Sequence, residues 1–130
     1  MAFRDGWHGV VGGGDLSSNT SADMARSEDG GRTWTLTKKP PVNGAIFCLA
    51  YASGIRHGDD PGAEDERDRI VVVTAEAEPD FSTGSAAWTP DEGQRWFALP
   101  SVSGYWGLAF ANPHAGWFVG NNGQILKISF

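Results

Sequence analysis

A single cysteine, a shortage of basic residues and the want of any long apolar run each close off a class of answer in this 130-residue chain. With Cys48 alone no intramolecular disulfide can form, so the core must hold the fold, and nothing demands an oxidising compartment. Cys48 lies in the apolar run "AIFCLAY", where a thiol reads as a small buried hydrophobe rather than a reactive group. Lysine and arginine number 10 against 16 acids, a net charge of -6, which argues against nucleic acid because phosphate binding needs a basic face that releases counterions. No stretch approaches the roughly 18 apolar residues of a membrane span. The opening "MAFRDGWHG" has neither a basic leader nor an apolar segment behind it. The chain is therefore expected to be soluble, without signal peptide or anchor, and its compartment stays open. A sustained 3.6-residue apolar period is also missing, since Gly and Pro interrupt everything longer than about eight residues, and almost no helix is expected.

What is plentiful points the other way. Eighteen Gly, seven Pro and six Trp imply many turns with large flat side chains beside them, which favours an all-β architecture. The same cadence recurs three times. "MAFRDG", "LAYASG" and "LAFANP" align, making Phe3, Tyr51 and Phe110 equivalent. "HGVVGGG", "RIVVVTAEA" and "AGWFVGNNG" follow as short apolar strands, and then "ADMARS", "SAAWT" and "QILKIS", each ending on a hydroxyl residue. In the first two units that hydroxyl opens an octamer, "SEDGGRTW" (27–34) and "TPDEGQRW" (89–96), whose Trp starts one more strand. Four short strands in about 45 residues is the strand count and period of a β-propeller blade. The units are placed at about 1–41, 42–100 and 101–130, the third nearly complete.

The octamers keep Ser27, Asp29, Gly30 and Trp34 against Thr89, Asp91 and Trp96, with Gly93 level with Gly31. A hydroxyl or Asp in a tight turn accepts N–H groups two residues on, and Gly takes the positive φ that closes it. The Trp ring can cover the seam with a neighbouring sheet while its N–H finds a partner. The motif is thus expected to be a structural clasp, because it lacks a nucleophile, base and oxyanion donor. The middle unit carries an insertion, 55–69, with six acids and three bases. It lacks the ligand spacing of an EF-hand and reads as a solvated surface loop. "GVVGGGD" invites comparison with a phosphate-cradling loop, but "LSSNTSAD" follows where that mechanism needs a helix N-terminus. His8, His57 and His114 have no metal spacing, and turn duty is expected of His8 and His114, which lie in the same loop of two equivalent units. No cofactor, metal or catalytic residue is assigned.

The paired octamers resemble the Asp-box, or BNR repeat, of β-propellers such as sialidases and the lumenal domain of the sortilin receptor. "GWFVGNNGQILKIS" and "AFRDGWHGVVGGG" bring the chain closest to the photosystem II stability/assembly factor-like group, including its bacterial, "oxidoreductase"-labelled branch. The resemblance spans the whole chain and implies a propeller whose Asp-boxes are structural. Sialidase activity does not carry over, since those sites use an arginine cluster with a Tyr–Glu pair and an acidic residue. Here Arg26, Arg32 and Arg95 lie in or beside the clasps, Arg56, Arg67 and Arg69 in the insertion, and Arg4 alone in an inner strand. Tyr51 and Tyr105 read as core.

Met1 falls within the expected first strand and Phe130 where a third clasp should begin, so the chain reads as the C-terminal part of a larger propeller, a partial ring completed by missing blades or by self-association. The leading functional expectation is a non-enzymatic interaction or assembly scaffold. Its ligand-facing loops would carry Asp15, Asn19, Glu76, Glu78, Asp80, Asn121 and Asn122. The alternatives are a fragment of a glycosidase-like enzyme whose catalytic residues lie elsewhere, and a self-assembling fragment without activity.

Overall fold

Short alternating strands broken by glycine fold back on themselves as antiparallel meanders. The computed structural model describes residues 1–18, 20–54, 66–77 and 84–130, and within them the regular structure is strand apart from two 3-10 turns, Glu66–Arg69 and Asn121–Gly123. Sheet one is ordered β1 (Ala2–Phe3), β2 (Gly9–Gly13), β3 (Asp23–Ser27), β4 (Thr35–Leu36). Sheet two is β5 (Ala45–Tyr51), β6 (Val71–Glu76), β7 (Ser85–Thr89), β8 (Phe97–Ser103). Sheet three has β9 (Tyr105–Asn112), β10 (Ala115–Gly120) and β11 (Ile125–Ile128).

Register makes the repetition concrete. Phe3, Gly9 and Ser27 lie side by side across sheet one, as Tyr51, Val71 and Thr89 do in sheet two and Phe110, Gly116 and Ile128 in sheet three. The equivalence of Phe3, Tyr51 and Phe110 thus holds in space. The third hydroxyl does not, because Ile128 and not Ser129 takes the place of Ser27 and Thr89. Alternation gives the reason: Ser129 in that row would turn Lys127 onto the buried face, whereas the observed register turns Leu126 and Ile128 inward. Gly9 and Gly116 fix the rows, since a Cβ at either would run into the ring of Phe3 or Phe110 lying over it.

The core lies between the sheets. Val10 and Met24 of sheet one meet Ile46, Leu49, Tyr51, Val73 and Ala87 of sheet two. The opposite face of sheet two, through Val72 and Ala86, meets Leu108, Phe110 and Phe118 of sheet three. As the middle layer, β6 is buried at every position, and so its "VVVTAE" runs apolar without the alternation of a one-sided strand.

Three boundaries differ from the sequence reading. β8 continues to Ser103, past the expected edge at 100, and sheet three starts only after Gly104. Trp34 and Trp96 stand just before β4 and β8 rather than in them. Of the insertion, 55–65 lies outside the described residues; in its tail Arg67 and Arg69 are exposed, but Asp68 is buried and the Arg69 carbonyl accepts the Glu92 N–H at 3.2 Å.

Candidate functional site

Both octamers form the same hydrogen-bonded turn. The Ser27 hydroxyl donates to Asp29 Oδ1 at 2.8 Å and accepts the Gly31 N–H at 2.8 Å, while Asp29 Oδ1 accepts the Thr33 N–H at 2.9 Å. The Thr89 hydroxyl donates to Asp91 at 2.9 Å and accepts the Gly93 N–H at 2.8 Å, and Asp91 accepts the Arg95 N–H at 2.8 Å. The principal donors stand four residues on, with the bonds from two residues on longer, at 3.4 and 3.3 Å. The turns close through left-handed residues, Gly30 and Gly31 in one and Glu92 and Gly93 in the other.

The two tryptophans divide the work expected of each. Trp96 Nε1 donates across the sheet boundary to the Lys38 carbonyl at 2.8 Å, beside a Lys38 N–H bond to the Gly93 carbonyl at 3.1 Å. Trp34 Nε1 stays within its own turn, on the Gly31 carbonyl at 3.1 Å, with its ring edge-on to Phe3. Only the second clasp joins two sheets through its Trp.

The carboxylates of the clasps are committed. Hydrogen bonds from the Thr33 hydroxyl and N–H, and from Ser27, hold Asp29 down from 3.8 to about 2. Partial burial works to raise Asp91, but bonds from Arg95 and Thr89 outweigh it and keep it low. A depressed carboxylate adds stability that is complete above its ordinary value and lost as pH falls through its folded one. The melting temperature is therefore expected to drop between about pH 4 and pH 2. In Asp29→Asn that acid slope should be shallower, and a calorimetric series in which the two slopes coincide would remove Asp29 from the clasp's energetics.

Beneath the second clasp is a buried polar cluster. Arg4 Nε donates to Glu92 Oε1 at 2.7 Å and the Tyr51 hydroxyl donates to the same oxygen at 3.0 Å. The Arg4 and Glu92 side chains are 5% and 7% exposed, and Tyr51 is 3% exposed. Burial, then the Glu92 charge, pushes the Tyr51 phenol far above its ordinary range, so it stays a donor. Arg4 Nη1 also reaches Asp5 at 3.1 Å, and Asp5 caps the next turn by accepting the Trp7 and His8 N–H groups at 2.7 Å. Burial pulls Asp5 upward, yet these bonds and His8 Nδ1 at 2.8 Å keep it low. Asn112 accepts the His114 N–H at 2.9 Å in the corresponding turn of sheet three. His57 lies outside the described residues. Among those described, no group of three or more His, Cys, Asp or Glu could hold a metal ion, and no helix is long and apolar enough to cross a membrane.

At the other end of the sheets, described backbone flanking the joins of second to third strands is tied to the links between sheets. Ser21 Oγ donates to the Gly44 carbonyl at 3.5 Å, Gly104 N–H to the Gly84 carbonyl at 3.2 Å, and Asn121 N–H to the Gly104 carbonyl at 3.0 Å. Asp15 is exposed but engaged, accepting the Ser17 N–H and hydroxyl, and these bonds lower its pKa. Asn122 is exposed in a left-handed conformation. Glu76, expected to face a ligand, is fully buried against Gly84, where a Cβ would overlap its carboxyl. Asn19, Glu78 and Asp80 lie outside the described residues.

No protein-family model, curated protein or solved structure matches the chain. The residue that sequence reasoning missed is Glu92. Its signal was visible: it stands where the first octamer has Gly30, and a glutamate in a left-handed turn position calls for something to hold it there.

Proposed function

We propose that this chain is a non-enzymatic interaction scaffold of the β-propeller kind, built from Asp-box repeats, whose exposed loop end meets its partner. The observation that carries the reading is the state of its one Arg–Tyr–Glu cluster among the described residues. Arg4, Tyr51 and Glu92 are buried between two sheets and bonded to one another, so no substrate reaches them. Catalysis by such a set needs an accessible nucleophile within reach of both a base and a reacting atom. A phenol held protonated by burial serves as a fixed donor instead. The clasp carboxylates are equally occupied with their own turns. What is left for recognition is the loop end, where Asp15, Asn121 and Asn122 stand on a tied backbone frame.

A fluorogenic panel of α-sialosides and β-glycosides tests this directly. Turnover is expected to equal that of the buffer, and to be unchanged in Tyr51→Phe. Hydrolysis that Tyr51→Phe or Glu92→Gln abolishes, in variants that still fold, would overturn the reading and make the cluster a reaction centre.

A further inference from the structure

Both contacts between sheets are made the same way. The face bearing the row aromatic, here called the front, lies on the opposite face, or back, of the preceding sheet. Tyr51, Val73 and Ala87 at the front of sheet two cover Val10 and Met24 at the back of sheet one. Phe110 and Phe118 at the front of sheet three cover Val72 and Ala86 at the back of sheet two. By register, the counterparts of Tyr51, Val73 and Ala87 on sheet one are Phe3, Val11 and Ala25. The counterparts of Val72 and Ala86 on sheet three are Trp117 and Ile125. Within this chain Phe3 and Trp117 are each 41% exposed and Ile125 is 70% exposed, with Val11 and Ala25 half-buried.

The two outer faces suit each other better than themselves. The front of sheet one is shallow over its first three strands, with Gly9, Val11, Gly13 and Ala25 around Phe3, and carries one large exposed side chain, Leu36, on its outer strand. The back of sheet three is bulky, with Trp117, Val119 and Ile125. Large side chains against small ones is how facing layers interdigitate. The back adds the positive charge of Lys127, while Asp23 on the front is already paired with Lys39 at 3.2 Å, so shape rather than charge carries the match.

Resting on the scaffold reading, we propose that the partner is a second copy of this chain, the front of sheet one in each copy seated on the back of sheet three in the other. A head-to-tail contact either closes or runs on as a fibre. Two copies making it twice give six sheets, inside the four to eight that a propeller ring takes.

Light scattering at several concentrations tests the proposal, with twice the chain mass expected and monomers appearing on dilution. Val11→Lys on the front and Ile125→Lys on the back should each weaken association at least tenfold while leaving the circular dichroism unchanged. An equimolar mixture of the two variants should then recover dimers, because the back of the first and the front of the second are both intact. A two-fold symmetric contact gains nothing from mixing. Should either variant fail to fold, amide exchange of the unaltered chain serves: protection in Gly9–Gly13 and Ala115–Gly120 should rise with concentration while Val71–Glu76 stays constant. A monomer at every concentration up to roughly 100 μM, where contacts of ~5 kcal/mol still register, would overturn the proposal. So would a dimer indifferent to both variants, or exchange that ignores concentration. Glycoside turnover would overturn the scaffold reading without altering this mass, and a monomer would leave the absence of turnover standing.

Discussion

Gly44→Ala is expected to unfold the chain or bring it close to unfolding. Gly44 lies in the link from sheet one to sheet two with φ +87°, and a methyl there falls inside the carbonyl of Glu76 and meets Ala77. An L-residue in the left-handed region costs about 1–2 kcal/mol. Overpacking against backbone that cannot turn aside adds about 1–3 kcal/mol. The strand carbonyl belongs to β6, the strand buried on both sides, so the displacement passes into both cores. Gly13→Ala is the control. It sits in β2 with nothing within 4 Å of the added methyl, and its melting temperature should stay within about 2 °C of the parent. Equal melting of the two variants would show that the link yields, and that sheet stacking does not depend on the close approach at Gly44.

The second large effect belongs to Glu92. Removing one partner of a buried ion pair costs about 3–5 kcal/mol, and the lower end is expected here because Arg4 keeps its contact with Asp5 at 3.1 Å. Glu92→Ala strips both Arg4 and Tyr51 of their shared acceptor and keeps a Cβ in the left-handed position. A fall in melting temperature of roughly 10 °C or more is expected. Glu92→Gly separates the two contributions, since it relieves the backbone while still removing the acceptor shared by Arg4 and Tyr51, and should recover only about 1 kcal/mol of the loss. If Glu92→Gly melts with the parent, the cluster contributes little and backbone strain was the whole effect.

The sequence was legible where chemistry repeats. Three cadences in frame gave the strand order, and Phe3, Tyr51 and Phe110 fell on one row because alternation leaves an aromatic few other places to go. The paired octamers announced their own turns, since hydroxyl, Asp and Gly at fixed offsets have few other ways to satisfy one another. The one-residue slip at Ile128 was hidden by the hydroxyl beside it, and only the burial of alternate residues decides between the two. The Arg4–Glu92 contact was hidden for another reason. Both stand at repeated positions, but neither residue type repeats there, since Arg4 aligns with Ala52 and Ala111 and Glu92 with Gly30, and their meeting depends on how one sheet stacks on the next, which no local pattern encodes. Glu76 misled because an acid at a strand end reads as a loop residue, whereas here two glycines let the backbone close over it.

The separation of 88 residues between Arg4 and Glu92 also sets a schedule. A ribosome adding roughly 5–20 residues per second makes Arg4 wait about 4–18 s for its acceptor. During that interval sheet one can form its own hairpins and its own clasp, because those contacts are local, but Val10 and Met24 stay bare until β5 and β6 arrive. Over that interval Asp5, one residue away, is the counter-charge Arg4 has at hand, and the shared bond to Glu92 forms only when sheet two arrives. The pair therefore forms late, after the local turns and clasp of sheet one.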